Sequence, residues 1–296
     1  MTATRTLLHE AAHRLRAAGV ASPEYDAAEL LAWVLGSTRA ELALIQTVQV
    51  RHHAAFEALL VRRLSREPLQ HLTGVAGFRY VEVAVGPGVF IPRPETELLA
   101  GWAIEAARAC HAATGQWPTV VDLCTGSGAI AKAIKDEVPL AAVHACELSP
   151  EAFVWAEQNL AGTGVDLREE DLATAFEDLL AEVDVLVSNP PYVPLEAWES
   201  VAPEARDHDP HLALFAGADG LDAIRVLEQR AAVLLKPGAV VGVEHADEQG
   251  EVAPAIFSQA GRWEAVVDHR DLNGRPRFLT ARRPQQVGPS VGESRS

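Results

Sequence analysis

Cysteine is scarce: Cys110, Cys124 and Cys146 are the three in 296 residues. Widely spaced thiols in that number make neither a disulfide framework nor a zinc site. They suit a reducing compartment, where free cysteine packs as a small buried hydrophobe. Also missing is any apolar run near the roughly 20 residues a membrane span needs. The opening Met1-Thr2-Ala3-Thr4-Arg5 leads into an amphipathic helix without the apolar core of a signal peptide. A cytoplasmic protein without a membrane partner is the expectation. Positive charge is short over most of the chain. Residues 1–84 carry nine Arg against eight acidic residues, whereas residues 85–296 carry 16 basic against 33 acidic, within a total of −16. The larger part would repel a phosphate backbone, so direct nucleic-acid contact is not expected of it. The histidines, among them His52, His53, His208, His211 and His245, show no ligand spacing, so no metal is expected.

What is present begins with a 48% hydrophobic content, enough for a sizeable core in one large or two ordinary domains. Residues 1–72 read as a helical domain, with Ala-, Leu- and Arg-rich segments near 3–18, 24–35, 39–46 and 51–65. Ser22-Pro23 is a helix start with proline at the first turn. Such a bundle could merely pack or could bind a partner, and both readings stay open. Residues 73–90 read as a β-hairpin linker: Val81, Val83 and Val85 alternate with Tyr80, Glu82 and Ala84 before the turn Gly86-Pro87-Gly88.

Residues 91–283 alternate strand and helix. After a helix from Glu95 to about 113, strands are predicted near 119–123, 142–147, 165–168, 183–188, 239–244, 263–268 and 276–281. Helices are predicted near 128–137, 150–161, 174–181, 219–235 and 248–260. The pattern specifies an α/β fold, a seven-stranded, mostly parallel, doubly wound sheet. A hairpin through Asp271-Leu272-Asn273-Gly274 turns the last strand antiparallel. Residues 284–296 are polar and expected to form a disordered tail.

Asn189-Pro190-Pro191-Tyr192 follows the short apolar run Val183-Asp184-Val185-Leu186-Val187-Ser188, which places it at the carboxyl end of a covered strand, where open α/β sheets bind ligands. An amide or ring NH2 is a poor nucleophile because its lone pair is delocalised. The Asn189 side-chain carbonyl and the Pro190 main-chain carbonyl can accept its two hydrogens, and Tyr192 can stack on the flat group. The cofactor half is Asp122-Leu123-Cys124-Thr125-Gly126-Ser127-Gly128, a glycine turn between a strand and a helix. Alone this turn is a weak signal. It matches the dinucleotide pattern, and Glu147, 21 residues after Gly126, could hold a ribose in NAD as well as in S-adenosylmethionine. Asp122 ahead of the glycines, Asp171 after the third strand and the Asn-Pro-Pro-Tyr after the fourth favour S-adenosylmethionine. The turn would take the methionine part, Glu147 the ribose, Asp171 the adenine amino group, and Asn189 would face the methyl. Asp122 could instead brace the turn, and Asp171 could be a plain loop carboxylate.

Four segments in order, Phe90-Ile91-Pro92-Arg93-Pro94-Glu95-Thr96-Glu97, the 122–130 glycine turn, Asn189-Pro190-Pro191-Tyr192 and residues 212–221, resemble the release factor glutamine methyltransferases (the PrmC/HemK family). The resemblance spans about residues 5–283. It implies a Rossmann-like class I methyltransferase whose partners are peptide chain release factors, acting as a monomer. The methyl would go from S-adenosylmethionine to the glutamine side-chain nitrogen of their Gly-Gly-Gln motif, leaving S-adenosylhomocysteine. Carried over, Asn189, Pro190 and Tyr192 are catalytic. Asp122, Cys124, Thr125, Gly126, Ser127, Gly128, Glu147, Leu148, Asp171, Leu172 and Asn189 line the cofactor site. Phe90, Arg93, Asn189, Pro190, Pro191 and Tyr192 wall the substrate pocket, and the helical domain grips the release factor. The chain departs from the family pattern at Glu147, where aspartate is commoner, at Leu172, where an aromatic is frequent, and at Glu244-His245-Ala246, where Glu-Ile-Gly is usual. An enzyme acting on an adenine or cytosine NH2 is the alternative, because the same tetrapeptide serves a flipped base.

Overall fold

The computed structural model describes residues 1–200 and 202–285. The chain divides into two compact units. One contains Met1–Ala76, Val85–Ile91 and Ser200–Asp209; the other contains Gly77–Ala84, Pro92–Glu199 and the chain from Pro210 onward.

The first unit opens with β1 (Thr2–Ala3) and α1 (Thr4–Ala17), followed by α2 (Pro23–Leu35), β2 (Thr47–Val48), α3 (Val50–Leu64) and α4 (Leu69–Thr73). Pro23 stands in the first turn of α2, its missing N–H costing no helical bond, and Gly36 ends that helix in the left-handed conformation. Leu7, Leu15, Leu30, Leu31, Phe56 and Leu60 form the core of this unit. The helix expected over 39–46 is a single 3-10 turn, Glu41–Leu44. Ile45 must already be extended for Thr47 to pair with Ala3, which leaves no room for a second turn.

A buried ion cluster holds the returning segment 202–209 in this unit. Arg63 donates to Asp26 at 2.7 Å and to Glu204 at 3.0 Å, and Arg66 donates to both Glu204 oxygens at 2.8 and 2.6 Å. Burial opposes the Glu204 charge, yet the bonds from Arg66 and Arg63 hold its carboxyl at about 2. Burial dominates at Asp26 and raises it despite Arg63.

The hairpin of β3 (Val75–Phe78) and β4 (Val81–Ala84) precedes α5 (Thr96–Thr114). Then β5 (Thr119–Leu123), α6 (Ala129–Glu137), β6 (Ala142–Glu147), α7 (Pro150–Leu160), β7 (Asp166–Glu169) and β8 (Val183–Ser188) alternate. The short α8 (Pro203–His208) and α9 (His211–Leu214), which carry no periodic signal, lie between β8 and α10 (Asp222–Leu234). The chain closes with β9 (Leu235–Glu244), α11 (Val252–Gln259), β10 (Glu264–Arg270) and β11 (Pro276–Arg282). Among the described residues no helix is long and apolar enough to cross a membrane.

The seven-stranded sheet has the order β10-β11-β9-β8-β5-β6-β7. All neighbours are parallel except those of β11, which runs antiparallel to β9 and β10. The expected α/β class holds, including the reversed last strand. Only a 3-10 turn, Glu177–Leu179, forms where a helix was expected over 174–181. Phe176 and Ala181 stand at φ 62° and 57°, and the buried Phe176 ring pulls the chain into the core in place of a continuous helix. The tail expected over 284–296 lies, from residue 286, outside the described residues.

Strand order reverses between β5 and β8, the point where doubly wound sheets open a crevice. On one flank α5 packs against β9 at Gly242. A Cβ there would press into the Trp102 ring and meet Leu99 at 3.0 Å, so glycine sets how closely α5 approaches the sheet. Gly242→Val should lower stability by about 1–3 kcal/mol, the usual range for overpacking, read as a fall in the urea midpoint; an unchanged midpoint would show that α5 can shift freely.

Candidate active site

In the β5–β8 ladder Leu123 pairs with Ser188, and the Ser188 hydroxyl donates to the Leu123 carbonyl at 2.7 Å. The glycine turn and the Asn-Pro-Pro-Tyr corner therefore leave neighbouring strands at the same level. Cys124 begins the turn in the left-handed conformation, followed by Gly126 and Gly128 at φ 58° and 81°. Nothing lies within 4 Å of a Cβ built on Gly126, so its backbone faces open space, while one on Gly128 would press on Leu160 at 3.0 Å. The two glycines serve different ends: approach from outside, and close packing within.

Asp122 is fully buried. One of its oxygens accepts from the Thr125 hydroxyl at 2.6 Å and from the Ala131 N–H at 3.1 Å, bracing the turn onto the start of α6. The other oxygen is buried without a hydrogen-bond partner. Burial pushes this carboxyl up to about 7, against those two bonds. Glu147, at the end of β6, accepts from the N–H groups of Gly126, Leu148 and Ser149 at 2.8, 2.9 and 2.8 Å. Burial raises it, and the three amides oppose the rise. The bonds to Asp122 and Glu147 come from backbone N–H groups and one hydroxyl, none from Lys or Arg. Asp171, past β7, is exposed and accepts from the Ala173 N–H at 2.9 Å. With Glu169, Glu170, Thr174, Glu177 and Asp178 it lines a surface hollow. Leu172 packs against the sheet core, and Leu148 is half exposed.

Of the remaining turn residues, Thr125 and Ser127 are buried, and the Ser127 carbonyl accepts from Asn159 at 2.9 Å. Asn159 of α7 also takes both backbone groups of Ala84, at 2.7 and 2.9 Å, tying the hairpin to the turn. Cys146 is buried as expected, its thiol pushed up to about 12 by burial. Cys110 and Cys124 are only partly so.

The corner is laced from several sides. The N–H groups of Tyr192 and Val193 donate to the Leu214 carbonyl at 3.2 and 2.7 Å, and Gln249 donates to the Tyr192 carbonyl at 3.0 Å. A side chain on Gly220 would strike that carbonyl, which explains glycine there. The Asn189 amide nitrogen donates to the Thr96 hydroxyl at 3.3 Å, and the Tyr192 hydroxyl donates to Glu244 at 3.2 Å. Pro190 is buried and Pro191 half-buried. Burial and the nearby Glu244 charge raise the Tyr192 phenol, opposed by Arg277 and Arg93, which puts Arg93 close to the corner. Phe90 belongs with the helical unit's segment Val85–Ile91. Sequence reasoning passed over Thr96, Asn159, Glu244 and Gln249. Glu244 carried a usable signal, a carboxylate ending the apolar run Val240-Val241-Gly242-Val243. Among the described residues no three His, Cys, Asp or Glu side chains gather as a metal site.

Below about 3.8 folded and unfolded chains both hold the Asp122 proton. Between there and about 7 the unfolded chain loses it first, so stability drains away as pH rises and levels off above 7. Asp122→Asn keeps the two accepting contacts without the charge. Denaturation midpoints should match wild type near the acid end and exceed it increasingly up to about pH 8; a difference that does not change with pH would contradict a buried ionising Asp122.

Comparison with known proteins agrees with this geometry. The PrmC N-terminal domain family matches residues 6–74, and the methyltransferase small domain family matches residues 110–204. The release factor glutamine methyltransferase of Streptomyces coelicolor is 56% identical over 93% of this chain and 96% of its own length. The proteins of that name from Mycolicibacterium smegmatis and Corynebacterium glutamicum are 44% and 42% identical, over 96% and 93% of this chain and 99% and 97% of theirs. With a glycine turn and an Asn-Pro-Pro-Tyr corner side by side at the switch point, and identity of this extent, the chain belongs to the release factor glutamine methyltransferase family.

Proposed function

We propose that the chain, a cytoplasmic monomer, moves a methyl from S-adenosylmethionine to the glutamine side-chain nitrogen of the Gly-Gly-Gln motif in peptide chain release factors. The observation that carries this reading is the Leu123–Ser188 register, which sets a cofactor-type turn beside an amide-accepting corner. The residues suit the cofactor. Gly126 leaves its backbone approachable, Asp122 keeps one buried oxygen without a partner, and the carboxylates carry no basic counter-ion that would favour phosphate. Asp122 and the 124–128 turn would hold the methionine part, Glu147 the ribose, and Asp171 with Leu172 the adenine. S-adenosylmethionine supplies a methyl already activated by its positive sulfur, so alignment is the protein's main task.

Asn189 has its amide nitrogen engaged by Thr96, which leaves its carbonyl oxygen to accept from the substrate NH2. The Pro190 carbonyl takes the second hydrogen, Tyr192 packs on the amide plane, and Arg93 walls the pocket. Held this way, the nitrogen lone pair points at the methyl carbon; the new N–C bond forms as the S–C bond breaks, and the nitrogen gives up one proton. The helical unit would bind the body of the release factor.

Incubated with a release factor and methyl-labelled S-adenosylmethionine, the protein should label the tryptic peptide that contains Gly-Gly-Gln. Label in DNA or RNA and none in release factor would instead support the nucleobase alternative. Asn189→Ala should abolish turnover while cofactor affinity stays within about tenfold, roughly 1.4 kcal/mol, because its duty is to the acceptor amide; full turnover by that variant would remove Asn189 from the chemistry.

A further inference from the structure

Beneath the corner lies a polar chain that the proposed chemistry does not by itself require. Glu244 ends β9 with 1% of its surface exposed. One carboxyl oxygen accepts from the Tyr192 hydroxyl at 3.2 Å, and the other is buried without a partner. The Thr96 hydroxyl, itself 3% exposed, favours the charged form of this carboxyl and accepts from the Asn189 amide nitrogen at 3.3 Å. Three elements meet here: the end of β9, the start of α5, and the loop after β8.

An asparagine amide has two ends of nearly the same size, and which end faces a hydroxyl depends on whether that hydroxyl donates or accepts. A carboxylate accepts only, so Glu244 claims the Thr96 hydrogen. Thr96 then offers Asn189 a lone pair, and Asn189 answers with its NH2, leaving its oxygen outward. We propose that Glu244 and Thr96 are positioning residues that set the direction of the Asn189 amide, so that it presents its oxygen to the substrate nitrogen and not its NH2. This rests on the reading of Asn189 as the amide acceptor. Were Glu244 protonated, it could donate to Thr96, whose hydrogen would pass to the Asn189 oxygen. The amide would turn over, and two NH2 groups would face each other across the site.

Burial pushes Glu244 up to about 7, against Thr96, Arg277 of β11 and Tyr192, with Glu95 adding to the rise. The neighbouring His245, fully buried and 3.0 Å from Asp268 of β10, is a further titratable group nearby; burial lowers it. For an acid that must be ionised to act, kcat/KM falls as pH drops through about 7.

The test compares Thr96→Val, Thr96→Ser and Glu244→Gln with wild type and Asn189→Ala, using release factor and labelled S-adenosylmethionine from about pH 5.5 to 9. Thr96→Val should lose roughly 10- to 100-fold in kcat, with KM for release factor within about threefold, and Thr96→Ser should restore most of it. Glu244→Gln should be slow at every pH and lack the acid limb. In the free protein the Asn189 side-chain NH2 resonances should shift with a midpoint near 7 in wild type and stay still in Glu244→Gln. Wild-type kcat in Thr96→Val, no rescue by serine, an acid limb that survives Glu244→Gln, or resonances that ignore pH would each overturn the assignment. A fully active Asn189→Ala would instead remove the reading beneath it. The resonance measurement stands whichever substrate the enzyme takes.

Discussion

The parallel pairing of β5 with β8 is the constraint on which the site depends. Leu123 and Ser188 end these strands in register, joined by the Ser188 hydroxyl, and each strand then opens into a loop with its own chemical task. A slip of one residue would turn every buried side chain of β8 toward the opposite face and carry the corner away from the glycine turn. The apolar faces of Val121, Leu123, Leu186 and Val241 prevent it, because their burial is satisfied in one register alone. The same packing that stabilises the sheet thereby sets the glycine turn beside the Asn189–Tyr192 corner.

Around this crevice the protein gathers carboxylates: Asp122, Glu147 and Glu244 are all raised by burial. Keeping acids in such places costs stability, and backbone amides and hydroxyls offset only part of the cost. Around the glycine turn, where neither Asp122 nor Glu147 is bonded by Lys or Arg, the site is short of positive charge before any ligand arrives. It favours a molecule that brings its own, and it would discriminate against phosphate-bearing nucleotides through charge alone.

The sheet was legible in the sequence because covered strands write themselves as short runs of Val, Ile and Leu, and because glycine turns mark where strands give way to helices. The Asn189–Tyr192 corner was legible for a different reason: two prolines after a buried strand have few structural explanations. Thr96 was not, and Glu244 showed only as a carboxylate ending an apolar run, since each acts through a partner more than 50 residues away that only the fold supplies. The segments 39–46 and 174–181 have helical composition, and tertiary demands overrode it, the β1–β2 pairing in one and the buried Phe176 ring in the other. Of the two foreseen readings of Asp122, one oxygen shows the bracing of the turn, while the other is buried without a partner.

The helical unit is not a contiguous stretch of chain. Past the corner the backbone leaves the sheet unit at Glu199, spends Ser200–Asp209 among the helices, and returns at Pro210. Glu204, fastened by Arg63 and Arg66, makes that excursion a tether. Cutting the gene after the last helix would therefore not yield two tidy modules. The amino-terminal piece would leave Arg66 without its carboxylate and Arg63 with Asp26 alone, and the remainder would keep a slack bight of peptide. Recombination between relatives should accordingly succeed only where both stretches are inherited from the same parent, a linkage that a map drawn along the chain alone would miss.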